Sequence, residues 1–185
     1  MTSKNWWRIF NTQLLKNIAF EVKQSWSNAI VKQFLSWLSM HPNILKIAVY
    51  ASLKTEVNTN ELIAFLLNHH YEVYLPVITN MLENQMQFSK ISSSDYAYER
   101  MKGIKQPTNH EWIKPTDLDL IIIPVGGFDA NKYRIGKGLG YYDKYLKQTK
   151  ALKIGFAFNI VRCFSFQIDV NDVPLDLIMT ESEII

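Results

Sequence analysis

Arg134, Lys137 and Asp143 stand in the run R-I-G-K-G-L-G-Y-Y-D, where glycine alternates with other residues from Gly136 through Gly138 to Gly140. A guanidinium, an ammonium and glycine-opened main chain, whose N–H groups can face a ligand, form a donor set that cradles a polyphosphate. Asp143 adds a hard oxygen ligand of the kind that holds the magnesium a nucleotide carries. Gly126 and Gly127 lie just upstream, so this stretch holds five of the seven glycines in the chain. Close approach to the backbone is concentrated here. The spacing is neither G-x-x-x-x-G-K-[ST] nor G-x-G-x-x-G. By spacing alone it describes an ordinary β–α connection equally well, with glycines for tight turning and Asp143 as a first-turn acid favoured by the helix dipole.

The elements that must position this run are short. Leu118 to Ile123 is apolar except for Asp119 and is closed by Pro124, the pattern of a buried central strand. After Gly140, Tyr141, Tyr145 and Leu146 fall at helical spacing, giving the order strand, glycine loop, helix. From Lys4 to Met40 apolar residues recur at three and four, predicting one long or two consecutive amphipathic helices that end before Pro42. Lys4 and Arg8 share one face of the first, which by spacing alone is a solvated basic face. Ile44–Tyr50 predicts a strand, and Asn58 or Thr59 caps a helix whose apolar face is Leu62, Ile63, Leu66 and Leu67. Glu72–Pro76 and Met86–Phe88 predict two more strands, and Asp95–Met101 a mobile or helical polar segment. A surface loop follows through Pro115, and Leu152–Phe158 reads as a further strand with Gly155 inside it. Strands alternating with helices predict an α/β fold: a single domain over 1–185 with a mainly parallel open sheet, flanked by helices in three Rossmann-like layers. Ligands of such sheets sit at the carboxyl ends of the strands, which makes the Ser52–Glu56 loop a candidate site wall.

Size and 48% hydrophobic content suit one globular domain with a substantial core. The formal charge of +3 is spread rather than gathered in a run, so no nucleic-acid partner is expected, while anionic small molecules would be steered favourably. Cys163 is the sole cysteine, which excludes an internal disulfide and a cysteine-built zinc site and fits a reducing, cytoplasmic setting. His69 and His70 are adjacent and point about 100° apart on a helix. His41 and His110 lie in predicted loops, so no histidine metal site is expected. No apolar run reaches the length of a membrane span, so no membrane partner is expected either. Lys4, Arg8 and Lys16 precede the first acid, Glu21, a composition that a cleaved presequence can share.

The whole string R-I-G-K-G-L-G-Y-Y-D-K-Y-L, preceded by P-V-G-G-F-D, resembles the motif of the 5-formyltetrahydrofolate cyclo-ligase family, also called methenyltetrahydrofolate synthetases. The resemblance extends from Lys4 to Glu181, through a K-x-x-x-R pair at Lys4 and Arg8, Y-A-S-L-K-T-E ending in Glu56, G-I-K-Q-P at Gly103–Pro107 and N-D-V-P-L-D-L-I-M-T-E at the tail. It implies ATP-driven conversion of 5-formyltetrahydrofolate, with or without further glutamates on its tail, to 5,10-methenyltetrahydrofolate. It also implies Mg2+ as cofactor and a monomer or weak homodimer. Carried over position by position, Lys4, Arg8, Arg134, Gly136, Lys137, Gly138, Gly140, Tyr141 and Tyr142 contact ATP. Glu56, Lys137, Gly138, Gly140 and Tyr141 contact the folate. Lys137 and Arg134 act on the transferred phosphoryl, and Asp143 and Asp176 hold the metal, with the role of Asp172 left open. A carboxylate at Glu56 suits a pterin, whose 2-amino and ring N–H edge donates two parallel hydrogen bonds; on sequence alone it reads as an exposed loop acid.

The chain departs from the family pattern at Leu139, where a cation or glycine is usual, and at Val161, where glutamine is. Two other readings stay open: a non-catalytic folate- or nucleotide-binding protein of the same fold, and an α/β enzyme of sugar phosphates or coenzyme A thioesters.

Overall fold

The structure, a computed structural model, describes residues 2–101 and 103–185. Two helices open the chain, α1 (Lys4–Asn17) and α2 (Phe20–Ser39). Ser3 caps the first by accepting from the Trp6 N–H at 3.2 Å, and extended backbone at Ile18 and Ala19 separates the two. The strand β1 (Lys46–Ala48) is shorter than the Ile44–Tyr50 run predicts, because the chain leaves the ladder after Val49 to build the site. Helix α3 (Asn60–Asn68) follows. Its start differs from the expected cap: the Thr59 hydroxyl donates to the Tyr50 carbonyl at 2.6 Å, while Asn58 Oδ1 accepts from the Asn60 N–H at 3.0 Å. Thr59 thus ties α3 to the end of β1.

The next strands, β2 (Glu72–Asn80) and β3 (Gln85–Ile91), form an antiparallel hairpin longer than the sequence indicates. Asn80 Oδ1 turns it by accepting from the N–H groups of Leu82 and Glu83 at 3.0 and 3.1 Å. The polar Asp95–Met101 segment is not a helix. Its end forms β4 (Tyr98–Met101), paired with β5 (Ile104–Pro107) in a separate two-stranded sheet. The expected surface loop contains β6 (Trp112–Ile113), bound to β3. Then come β7 (Leu120–Pro124), α4 (Tyr141–Leu146), β8 (Leu152–Phe156) and β9 (Leu177–Met179).

Among the described residues the main sheet has seven strands, in the order β6-β3-β2-β1-β7-β8-β9. The five from β2 to β9 are mutually parallel, and β3 and β6 are antiparallel additions. Helices flank the sheet. Phe34 of α2 meets Phe156 of β8 edge-on at 5.4 Å, and Tyr145 of α4 meets Phe88 of β3 at 4.9 Å. β7 is the centre that its composition predicts, with Leu120 to Ile123 fully buried. The polar break in that run has a structural use: Asp119 Oδ2 accepts from the N–H groups of Leu45 and Lys46 at 2.9 and 2.8 Å, holding the start of β1.

Strand order reverses between β1 and β7, the point at which open α/β sheets leave a crevice beyond the strand ends. Tyr74 accepts the last β1-side bond, from the Val49 N–H; two residues later Pro76 has no N–H to offer, and Ile78 donates instead to Gln106 Oε1 at 3.1 Å. β2 therefore runs on past β1 as a wall of the crevice. Among the described residues no helix is long and apolar enough to cross a membrane.

Gly155 lets β8 and β9 close against β7. A Cβ there would lie 2.5 Å from Leu175 Cδ1 and 2.8 Å from Val125 Cγ2. Leu175 can rotate away, but the branched Val125 side chain cannot, so Gly155→Ala is expected to cost about 1–3 kcal/mol by overpacking. Urea unfolding should show a lower midpoint at unchanged slope.

Candidate active site

A cavity of about 720 Å3 opens at the carboxyl ends of β1 and β7, within the size range of small-molecule sites. One end is polar and is built by α1, the glycine loop and the 169–172 segment. The other is apolar, with Pro76, Ile78, Met86 and Ile104 on its wall.

The first helix reaches this place because Asn11, buried on its inner face, donates to the Gly126 carbonyl at 2.9 Å. Gly127 must lack a side chain for that contact, since a Cβ would sit 2.7 Å from Asn11 Nδ2. One and two turns before Asn11, the helix presents Arg8 and Lys4. Arg8 Nε donates to the Gly136 carbonyl at 2.8 Å, and its guanidinium lies against Gly138, where a Cβ would be 3.1 Å away. Gly138 and Gly140 adopt φ of +93° and +70°, the left-handed region in which a side chain is strained. Lys4 Nζ pairs with Asp172.

Among the described residues, no main-chain N–H from Gly136 to Asp143 donates to another main-chain carbonyl. These donors, with Lys4, Arg8 and Lys137 around them, line one end of the cavity as a candidate anion cradle. Its origin differs in one respect from the expected helix start. α4 has only six residues, so loop donors and cations supply the field rather than a helix dipole. The Tyr141 and Tyr142 hydroxyls are buried and have no protein partner among the described residues. Burial pushes the Tyr142 phenol far above its usual range, so it remains a neutral donor.

Arg134 lies under the loop, 7% exposed, and its Nη1 donates to Asp143 Oδ1 at 2.9 Å. A buried guanidinium needs such a partner, and the pair fastens the loop to α4. Asp143 Oδ1 also accepts from the Val173 N–H at 3.4 Å, which draws the neighbouring Asp172 to the same wall. Asp176 is not there. Its Oδ2 accepts from the Lys153 N–H at 2.8 Å and from Lys153 Nζ at 3.4 Å, at the amino-terminal edge of β9. Four residue steps, at most roughly 13 Å of chain, separate it from Asp172. The expected pairing of Asp143 with Asp176 is therefore corrected: besides Glu56, the acids lining the cavity with Asp143 are Asp169 and Asp172.

No cluster of three or more metal-binding side chains occurs among the described residues. Two carboxylates beside a phosphate cradle nonetheless fit a magnesium ion, which takes one or two acids and completes its shell from phosphates and water. Each acid retains one oxygen, Asp143 Oδ2 and Asp172 Oδ1, for which no hydrogen bond to a described residue is formed.

Glu56 sits where the loop after β1 turns back, and its neighbourhood is rigid: Tyr50 donates to the Val57 carbonyl at 3.0 Å. Glu56 Oε2 accepts from the Leu53 N–H at 2.9 Å, and Oε1 lies 3.6 Å from Lys137 Nζ. Only 9% of its side chain is exposed, against 52% for Lys137. Burial raises the Glu56 carboxyl above its ordinary range, and the Leu53 N–H and Lys137 oppose that only in part. Lys137 also reaches the Thr55 hydroxyl at 3.4 Å. Asn11, Thr55 and Asp169 are site residues that sequence reasoning missed; the apolar wall was equally hidden. Leu139 lines the cavity, whereas Val161 is buried in the core and does not.

A sequence model of the 5-formyltetrahydrofolate cyclo-ligase family matches residues 3–181. The 5-formyltetrahydrofolate cyclo-ligase of Mycoplasma genitalium is 35% identical over 153 residues, 81% of each chain. The solved 5,10-methenyltetrahydrofolate synthetase of Aquifex aeolicus superimposes with a TM-score of 0.86 at 29% identity, covering 98% of this chain and 91% of its own. That of Mycoplasma pneumoniae gives 0.82 at 26% identity, covering 97% and 99%.

Because Glu56 holds its proton more tightly folded than unfolded, the stability it contributes is full below the ordinary carboxylate range. That contribution is lost as pH rises through the elevated folded value. Glu56→Gln should accordingly unfold at higher urea than the wild type at pH 7, and the difference should vanish near pH 4. Equal midpoints at pH 7 would mean that Lys137 and Leu53 fully offset burial.

Proposed function

The chain belongs to the 5-formyltetrahydrofolate cyclo-ligase family, and from that premise we propose that it closes 5-formyltetrahydrofolate to 5,10-methenyltetrahydrofolate with ATP converted to ADP and phosphate. The observation that carries the reading is the 3.6 Å approach of Lys137 to Glu56. It supports a reading in which a heterocycle-binding carboxylate and a phosphate cradle share one cation, so that two substrates can meet there.

In this reading Glu56 accepts from the 2-amino and ring N–H edge of the pterin. The pterin and its neighbouring ring lie along Pro76, Ile78, Met86 and Ile104. Lys4, Arg8 and the main-chain N–H groups of Gly136, Gly138 and Gly140 hold the ATP phosphates, with Tyr141 and Tyr142 closing the site. The N5-formyl oxygen attacks the γ-phosphorus and ADP departs. N10 then attacks the activated formyl carbon, the carbon–oxygen bond breaks with release of phosphate, and N10 loses its proton.

An amide-like oxygen leaves poorly and a phosphate leaves well, so the chemistry lies in the substrates. The protein's tasks are alignment and charge neutralisation. Lys137, once the pterin occupies Glu56, is released toward the transferred phosphoryl, and Arg134 stabilises it from beneath the loop. Asp143 and Asp172 would hold a nucleotide-borne magnesium, which supplies charge neutralisation on the phosphate oxygens.

The test is the near-ultraviolet absorbance of the methenyl product from purified protein, 5-formyltetrahydrofolate and magnesium, with and without ATP. Growth of that band only with ATP supports the reading; no growth while either ligand still binds sinks it in favour of a binding protein. Lys137→Ala should lower kcat by about 100-fold or more, the scale for a lost transition-state donor. A rise in the KM for ATP at unchanged kcat would refute its role on the phosphoryl.

A further inference from the structure

The β4–β5 hairpin walls the cavity on one side, and its two faces meet different spaces. Ile104 and Gln106 line the cavity, whereas Gly103 and Lys105 line a second groove of about 550 Å3. This is the period-two alternation of a strand. Ala51 and Leu53 line both spaces, which are therefore neighbours.

The groove carries Lys54, Arg100 and Lys105, with Ser94, Asn60 and the Tyr96 ring beside them, and among the described residues no carboxylate lines it. None of the three cations has an ion-pair partner among the described residues. Arg100 and Lys105 are moreover directly opposite each other across the hairpin. Like charges in that position destabilise an antiparallel pair. The Tyr98 ring, 5.7 Å from Arg100 Cζ and 4.3 Å from Lys105 Nζ, offsets the repulsion only in part. An anion between them would remove it.

We propose that this groove binds the glutamate end of the folate, with Arg100 and Lys105 taking its carboxylates and Lys54 extending the site to any further γ-linked glutamates. The assignment rests on the reading of the cavity as the folate site. With the pterin on Glu56 and the formyl group toward the glycine loop, the far end of the molecule carries two carboxylates. They cannot stay against Ile78, Met86 and Ile104 without a desolvation penalty. Across Ala51 and Leu53, which line both spaces, lie unpaired cations in partial contact with water. Each added glutamate contributes one more negative charge to the same groove.

Equilibrium titration of tryptophan fluorescence with 5-formyltetrahydropteroate, which has no glutamate, and with the mono- and triglutamate forms of 5-formyltetrahydrofolate tests this directly. In the wild type Kd falls along the series, and the fall shrinks as salt is added. Arg100→Ala/Lys105→Ala should weaken triglutamate binding about fivefold, as two lost surface charge contacts predict. It should leave pteroate binding unchanged and the Tm equal or higher, because a repulsion is removed. A series that keeps its ratios in the variant overturns the assignment, as does weaker ATP binding with the folate series intact. Turnover is measured separately: folates that bind without being cyclised refute the enzymatic reading while the binding series still decides the groove.

Discussion

Everything at the polar end of the cavity depends on one docking contact, the approach of Asn11 to the main chain that leaves β7. Its amide donates to the Gly126 carbonyl at 2.9 Å, in a space that exists only because Gly127 has no Cβ. Asn11 is 2% exposed, and a buried amide without that carbonyl would cost more than the bond is worth. The contact therefore specifies how the first helix lies as well as holding it. A helix advances 1.5 Å per residue, so fixing Asn11 places Arg8 and Lys4 roughly 4.5 and 10 Å further along the same rod. Those are the positions from which Arg8 meets Gly136 and Gly138 and Lys4 meets Asp172. Two residues remote in sequence from the glycine loop become part of it through one asparagine.

The main lines of the fold could be read from the sequence because its signals are local. The apolar run at Leu118–Ile123, the three-and-four periodicity before Pro42 and the glycine loop each report their own element. The parts that escaped are those set by distant partners. β1 is cut short because Thr59 and Tyr50 bind across the loop. β4 pairs through residues too polar to announce a buried strand, and β6 is two residues long and exists through β3.

The site divides in the same way. Residue types told where a carboxylate and a phosphate cradle were to be expected, and Glu56, Arg134, Lys137 and Asp143 do converge. Of the two tail acids, four positions apart, only Asp172 comes to the cavity, and spacing could not choose between them. The choice is made by Arg134, which holds Asp143, which in turn accepts from the N–H of Val173. Asp176 is taken instead by Lys153 at the opposite end of the sheet.

Three cations of the site each face one of its own acids: Lys4 with Asp172, Arg134 with Asp143, Lys137 with Glu56. Such pairing lets charges sit half-buried at the mouth of an apolar cavity without the penalty of an isolated ion. It also means that an anionic ligand gains only the difference between its own bond and the one it displaces. The pairs differ in how readily they exchange. Arg134 is almost wholly buried and bonded to Asp143, whereas Lys137 is half exposed and burial of its partner Glu56 favours the protonated form. On the proposed reading, a neutral heterocycle edge that donates to Glu56 would replace the lysine at 3.6 Å and free it for a phosphate on its other side. On the same reading, occupancy of the heterocycle end would strengthen the phosphate end with no movement larger than one side chain, since only the most exposed of the three pairs has to open.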